Sequence, residues 1–136
     1  MPDQRTRVAE RAKGCCEYCR SQEQYSPDSF SIEHIVPLSK GGKDTLDNLA
    51  FFCQGCNNRK YTSTKAFDLI SQTTVPLFNP RQQKWTEHFA WSEDGSLILG
   101  LSPIGRATVE KLQLNRNGLV NLRHILFDAG EHPPSV

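Results

Sequence analysis

The sequence predicts an α+β fold for one small domain, and three observations predict it. Residues 30–33 alternate apolar and polar side chains and residues 49–52 form a short apolar run, both of them strand patterns. Stretches near each end of the chain place apolar residues at helical spacing. Two C-x-x-C pairs, Cys16/Cys19 and Cys53/Cys56, bracket the strand region, and thiols at that spacing converge on one ion. A length of 136 residues suits one domain with one modest core, and 37% hydrophobic with 23% charged residues describes a globular chain rather than a disordered one.

The elements follow in order. Asp3 to Lys13 combines good helix formers with Val8, Ala9 and Ala12 at helical spacing, and Gly14 stands where a helix stops. Phe30, Ile32 and His34 alternate with Ser31, Glu33 and Ile35, which makes a strand that Pro37 ends. In a regular strand Glu33 and His34 point to opposite faces, so both reach one site only if the strand twists or ends there. Residues 38–48 are loop by composition, and Leu49 to Phe52 make a second strand. Asn57 to Ser71 lacks Gly and Pro, which permits a helix that Val75-Pro76 would end. Beyond Pro80, Phe89-Ala90-Trp91 and Leu97-Ile98-Leu99 read as a hairpin with Asp94-Gly95 in its turn. Ser102-Pro103 supplies an N-cap and a first-position proline for a helix to about Leu114. Leu119, Leu122, Leu126 and Ala129 form a last amphipathic helix before a Pro-rich tail. The expected organisation is a core over residues 1–76 and a hairpin-plus-two-helix extension over 77–136, packed together as one domain.

Composition excludes several classes. No apolar run approaches the ~18–20 residues of a membrane span, and the N-terminal residues lack a signal-peptide pattern. A soluble, cytoplasmic protein with no membrane partner is expected. The formal charge of +1, from 16 basic and 15 acidic residues, gives no global attraction for nucleic acid, although Arg5, Arg7, Arg11, Lys13 and Arg20 concentrate basic charge at the front. The cysteine count of 5 is odd, which argues against a disulfide framework. Zinc is the leading reading of the two pairs, with redox thiols and a rubredoxin-like iron site as alternatives. Cys15 is left over and reads as a small buried apolar residue. His88, His124 and His132 have no partner pattern.

Between the cysteine pairs stand Glu33-His34-Ile35-Val36-Pro37-Leu38-Ser39-Lys40-Gly41-Gly42, then Asp47-Asn48-Leu49, then Cys53-Gln54-Gly55-Cys56-Asn57-Asn58-Arg59-Lys60. An acidic residue and His followed by Pro and Gly-Gly, an internal Asn-Leu, and a His or Asn just after a C-x-x-C resemble the HNH endonuclease family over roughly residues 15–61. The resemblance implies a ββα-metal core, two antiparallel strands and a helix around one divalent cation, here with a structural zinc on Cys16, Cys19, Cys53 and Cys56. It also implies His34 as general base, Asn48 as the residue holding the His34 segment, and Glu33 and Asn57 as ligands of the catalytic ion. Glu33 stands where Asp is commoner, and Asn57 stands where the third letter of the family name expects His.

The chemistry agrees with those roles. Hydrolysing a phosphodiester requires water to lose a proton and developing anionic charge to be neutralised. An imidazole is substantially neutral at cellular pH and accepts that proton. Mg²⁺ or Mn²⁺ prefers oxygen ligands such as a carboxylate and an amide carbonyl, leaving positions for water and phosphate. The implied function is hydrolysis of DNA, double-stranded above all, with Lys40, Lys43, Arg59, Lys60 and the arginines of the first helix as backbone contacts. Lys60, one helical turn after Asn57, is expected on a phosphate-facing surface. Trp85, Phe89 and Trp91 are expected to pack the extension rather than to stack on bases. The alternative is a zinc-stabilised nucleic-acid-binding module that keeps the fold without catalysis, a reading that Asn57 in place of His keeps open.

Overall fold

The computed structural model describes residues 3–135. Helix α1 (Gln4–Arg11) opens on Asp3, whose carboxylate accepts the Thr6 N–H at 2.7 Å, and only its Val8 side is fully buried. A tight knuckle over residues 15–21 follows, closed by the Cys16 N–H donating to the Ser21 carbonyl at 2.9 Å. Strands β1 (Ser31–His34) and β2 (Leu49–Phe52) then pair antiparallel, His34 opposite Leu49 and Ser31 opposite Phe52. All four β2 residues are buried, whereas β1 is half-buried along its length. The free edge of β2 is covered by Glu17, whose N–H donates to the Phe51 carbonyl at 3.0 Å and whose carboxylate accepts the Phe51 N–H at 2.8 Å. Pairing of that edge with another chain is thereby blocked.

Helix α2 (Gln54–Lys60) starts three residues earlier than Asn57, because Cys53 caps it, its sulfur accepting the Cys56 N–H at 3.4 Å. The helix expected to continue to Ser71 does not form. It ends at Lys60, with Tyr61 in a positive-φ conformation (φ 47°) that no helix continues through. Strands β3 (Lys65–Asp68) and β4 (Thr73–Pro76) form a hairpin in its place. The β-branched run Thr73-Thr74-Val75 favours the pleated surface. The Asp68 carboxylate accepts the Ser71 N–H at 3.0 Å inside the turn and takes two hydrogen bonds from Arg106, at 3.0 and 2.9 Å.

In the extension a short helix α3 (Trp85–His88), absent from the sequence pattern, leads into a hairpin of β5 (Phe89–Trp91) and β6 (Ile98–Gly100), one residue beyond the expected second strand. Helix α4 (Pro103–Leu112) begins as expected, the Ser102 hydroxyl accepting the Gly105 N–H at 3.0 Å. Helix α5 (Asn117–Asp128) buries Leu119, Arg123 and Leu126.

One apolar cluster spans the two halves of the chain. Tyr18 stacks on Phe52 at 4.8 Å between ring centroids, Phe78 meets Tyr18 edge-on at 5.9 Å, and Phe89 meets Phe78 edge-on at 5.2 Å. The Trp85 indole N–H donates to the Tyr18 carbonyl at 2.9 Å. Trp85 and Phe89 are buried and Trp91 is partly so, Trp85 stacked by the Arg20 guanidinium and Trp91 by that of Arg123. These aromatics pack the extension, as the sequence suggested. No helix among the described residues is long and apolar enough to cross a membrane.

Candidate active site and metal centre

The four paired cysteines come together from the knuckle and the start of α2. Their sulfurs all lie within 4.8 Å of one another, and all four residues are buried. Cys19 and Cys53 are 3.6 Å apart, close to the ~3.8 Å edge of a tetrahedron with Zn–S bonds of about 2.3 Å. None of the cysteines is in a disulfide. Burial pushes the Cys16 thiol up, while hydrogen bonds from Cys16, Cys19 and Cys56 hold the Cys53 thiol down, and a cation among the sulfurs would favour the thiolate form of each. A closed S₄ set of this kind fits zinc in a structural role, because it leaves no open position for water. Cys15 lies outside the group, buried, with its sulfur 3.6 Å from the Lys13 carbonyl.

An arginine that the sequence did not single out joins this centre. Arg116, just before α5, directs its guanidinium at Cys53 (3.4 Å) and Cys56 (3.7 Å). It passes so close over α2 that a Cβ at Gly55 would lie 2.4 Å from a guanidinium nitrogen. Burial works against the Arg116 charge, but the sulfurs of Cys56 and Cys19 outweigh it and hold the group more firmly protonated than usual. Four thiolates on Zn²⁺ carry a formal charge of −2, and a cation in contact with them offsets part of it. A lone arginine 60 residues downstream of Cys56 carries no local signal, so no pattern could have found it.

The second assembly is a cleft of about 500 Å³ lined by Glu33, His34, Asn57, Asn58, Lys60 and Tyr61 among others. Glu33 and His34 therefore share one cavity although they are neighbours in a strand. β1 ends at His34, and a two-stranded ribbon twists strongly. Asn57 reaches the cleft from the middle of α2, whose start the cysteine cluster fixes beside the knuckle. Asn48 lies outside the cleft and clamps the strand exit. Its amide oxygen accepts the Val36 N–H at 3.0 Å, its amide nitrogen donates to the Val36 carbonyl (3.0 Å) and the Lys43 carbonyl (2.8 Å), and its own carbonyl accepts the Ile35 N–H at 2.8 Å. A further residue that the sequence reading missed touches His34: Asp44, whose carboxylate oxygen is 3.0 Å from His34 Nε2.

The basic residues divide. Lys43 and Arg59 are exposed, and Lys40 is exposed with its ammonium donating to the Thr62 carbonyl at 2.8 Å. Lys60 corrects the expectation of a surface contact. It is 2% exposed, and its ammonium donates to the Ile35 carbonyl at 2.7 Å, tying α2 to the end of β1 from the wall of the cleft. Burial, reinforced by the Lys40 charge and opposed by Glu33, pushes its pKa down to about 8. In the first helix, Arg11 donates to the Leu46 and Leu49 carbonyls and Arg5 pairs with Glu23 at 2.6 Å, so these two brace the fold.

Residues 16–63 match the family model described as HNH endonuclease. A protein of Escherichia coli (strain K12) described as the type IV methyl-directed restriction enzyme EcoKMcrA is 32% identical over 74 residues, which cover 52% of this chain and 27% of that protein. The chain thus spans about a quarter of this relative's length. No solved structure matches significantly. The matched segment contains both cysteine pairs and every residue that lines the cleft from β1 and α2, so the likeness to the HNH endonuclease family falls on the cysteine cluster and the cleft.

Proposed function

We propose that the chain is a metal-dependent endonuclease that hydrolyses phosphodiester bonds of double-stranded DNA, with its nuclease core in residues 1–76 and residues 77–136 as an extension packed on that core. The observation that carries this reading is the single cleft shared by Glu33, His34 and Asn57, a carboxylate, an imidazole and an amide that meet from two elements. The relative described as a restriction enzyme supports DNA as the substrate class.

In this mechanism the carboxylate of Glu33 and the amide oxygen of Asn57 would hold Mg²⁺ or Mn²⁺, an oxygen-ligand set that suits such ions. Bound there, such an ion would supply Lewis-acid stabilisation of the developing phosphate charge and of the leaving oxygen. His34 takes a proton from a water molecule, the water oxygen bonds to phosphorus, and the 3′ oxygen departs with the electron pair of the broken bond and picks up a proton from solvent. The products are 5′-phosphate and 3′-hydroxyl ends. Lys40, Lys43 and Arg59 contact the flanking phosphates. The four cysteines, with zinc among them, would keep Asn57 in register with His34, and a closed S₄ site would take no part in the hydrolysis.

The test is nicking of supercoiled plasmid by the full chain as Mg²⁺ or Mn²⁺ is raised. Glu33→Ala is expected to retain zinc and thermal stability while needing more Mg²⁺ for half-maximal nicking. A preparation that binds plasmid without cutting it under either ion, or loss of zinc from Glu33→Ala, would overturn the assignment of the two metal sites.

A further inference from the structure

The loop between the strands is built to deliver Asp44 to His34. The Gly42 N–H donates to the Pro37 carbonyl at 3.0 Å, and a Cβ at Gly42 would lie 1.8 Å from the Val36 carbonyl oxygen, so only glycine allows the loop to fold back this tightly on the strand exit. Asn48 then fastens both sides. It holds Val36, two residues after His34, and Lys43, the residue before Asp44. Gly42 and Asn48 together bring the Asp44 carboxylate to 3.0 Å from His34 Nε2. His34 makes no other hydrogen bond among the described residues, and its ring lines the cleft.

We infer that Asp44 is a positioning residue for His34, its carboxylate accepting the Nε2–H so that the ring is oriented and Nδ1 is the atom that receives the proton from water. The inference rests on the proposed role of His34 as general base. An ionised carboxylate only accepts hydrogen bonds, so its contact with Nε2 requires the hydrogen to be on Nε2 and leaves the lone pair on Nδ1. This arrangement gives a purpose to a Gly-Gly turn and an asparagine that do not themselves touch the cleft. Asp44 is 68% exposed, so its removal opens no core cavity.

The experiment compares Asp44→Ala, Asp44→Glu and His34→Ala with the wild-type chain in single-turnover nicking of supercoiled plasmid under saturating Mg²⁺. Removal of an orienting partner should slow the chemical step about 10- to 100-fold. Plasmid affinity, the Mg²⁺ midpoint and thermal stability of Asp44→Ala should match wild type, and Asp44→Glu should restore most of the rate. In a His34→Ala background, Asp44→Ala should cost nothing further. Ring ¹⁵N spectra of His34 in the neutral state should show the Nε2-protonated tautomer in wild type and a mixture in Asp44→Ala. Wild-type cleavage by Asp44→Ala alongside an inactive His34→Ala would overturn this inference alone. A shifted Mg²⁺ midpoint or weakened plasmid binding in Asp44→Ala would also overturn it, by making Asp44 an ion ligand or a DNA contact. Wild-type cleavage by His34→Ala would instead overturn the reading on which the inference rests.

Discussion

At the scale of single residues, the cleft is held by side chains whose polar groups are tied to backbone. Lys60 is the clearest case, because a buried ammonium is costly and this one is placed to join α2 to β1. Its pKa lies near 8 in the fold against 10.5 in an ordinary lysine. The folded chain therefore gives up that proton before the unfolded chain does, and linkage makes this group's contribution to stability rise with pH between about 8 and 10.5. Thermal unfolding of wild type and Lys60→Met across that interval should show wild type gaining on the variant as pH increases, and a constant difference would contradict the burial. The places of Glu33, His34 and Asn57 on one cleft and of Asn48 at the strand exit follow short motifs visible in the sequence. The burial of Lys60 and the approach of Asp44 were not legible, since both depend on how the chain folds back between the strands.

At the scale of elements, local pattern was enough wherever an element makes its own ends. The helix from Pro103 declares itself through its Ser-Pro cap, the leading helix through Gly14, and β2 through its four apolar residues. The β3–β4 hairpin was read as helix because its fixing contact is remote. Asp68 is 2% exposed and meets Arg106, 38 residues away on α4. The Arg106 guanidinium, with the Ser71 hydroxyl and N–H, holds the Asp68 carboxyl below the usual aspartate range. Its contribution to stability is complete above the ordinary value of 3.8 and is lost as pH falls through the depressed one. Asp68→Asn should lower the melting temperature at neutral pH, and the gap to wild type should narrow on acidification below about pH 4. Hydrogen exchange should show the loss centred on residues 65–76. A gap that stays unchanged in acid would show that the ion pair does not anchor the hairpin.

At the scale of the whole molecule, the cysteine centre and the extension are physically joined. Arg116 touches two of the sulfurs, and the aromatic chain from Tyr18 through Phe78 to Phe89 runs from the knuckle into the extension. Outer partners of metal ligands typically change affinity 10- to 100-fold, so Arg116→Ala should raise the rate of zinc loss to a chelator by about that factor. Zinc release at the wild-type rate would show that the arginine only packs against the cluster. The central claim, however, is that one cleft carries phosphodiester hydrolysis with His34 as its base. The most direct measurement is the rate at which His34→Ala and wild type nick supercoiled plasmid in Mg²⁺, with zinc content and melting temperature determined on the same preparations. The account predicts a variant that keeps its zinc and stability and loses a factor on the order of 10²–10⁴ in rate. Cleavage by that variant at the wild-type rate would contradict it.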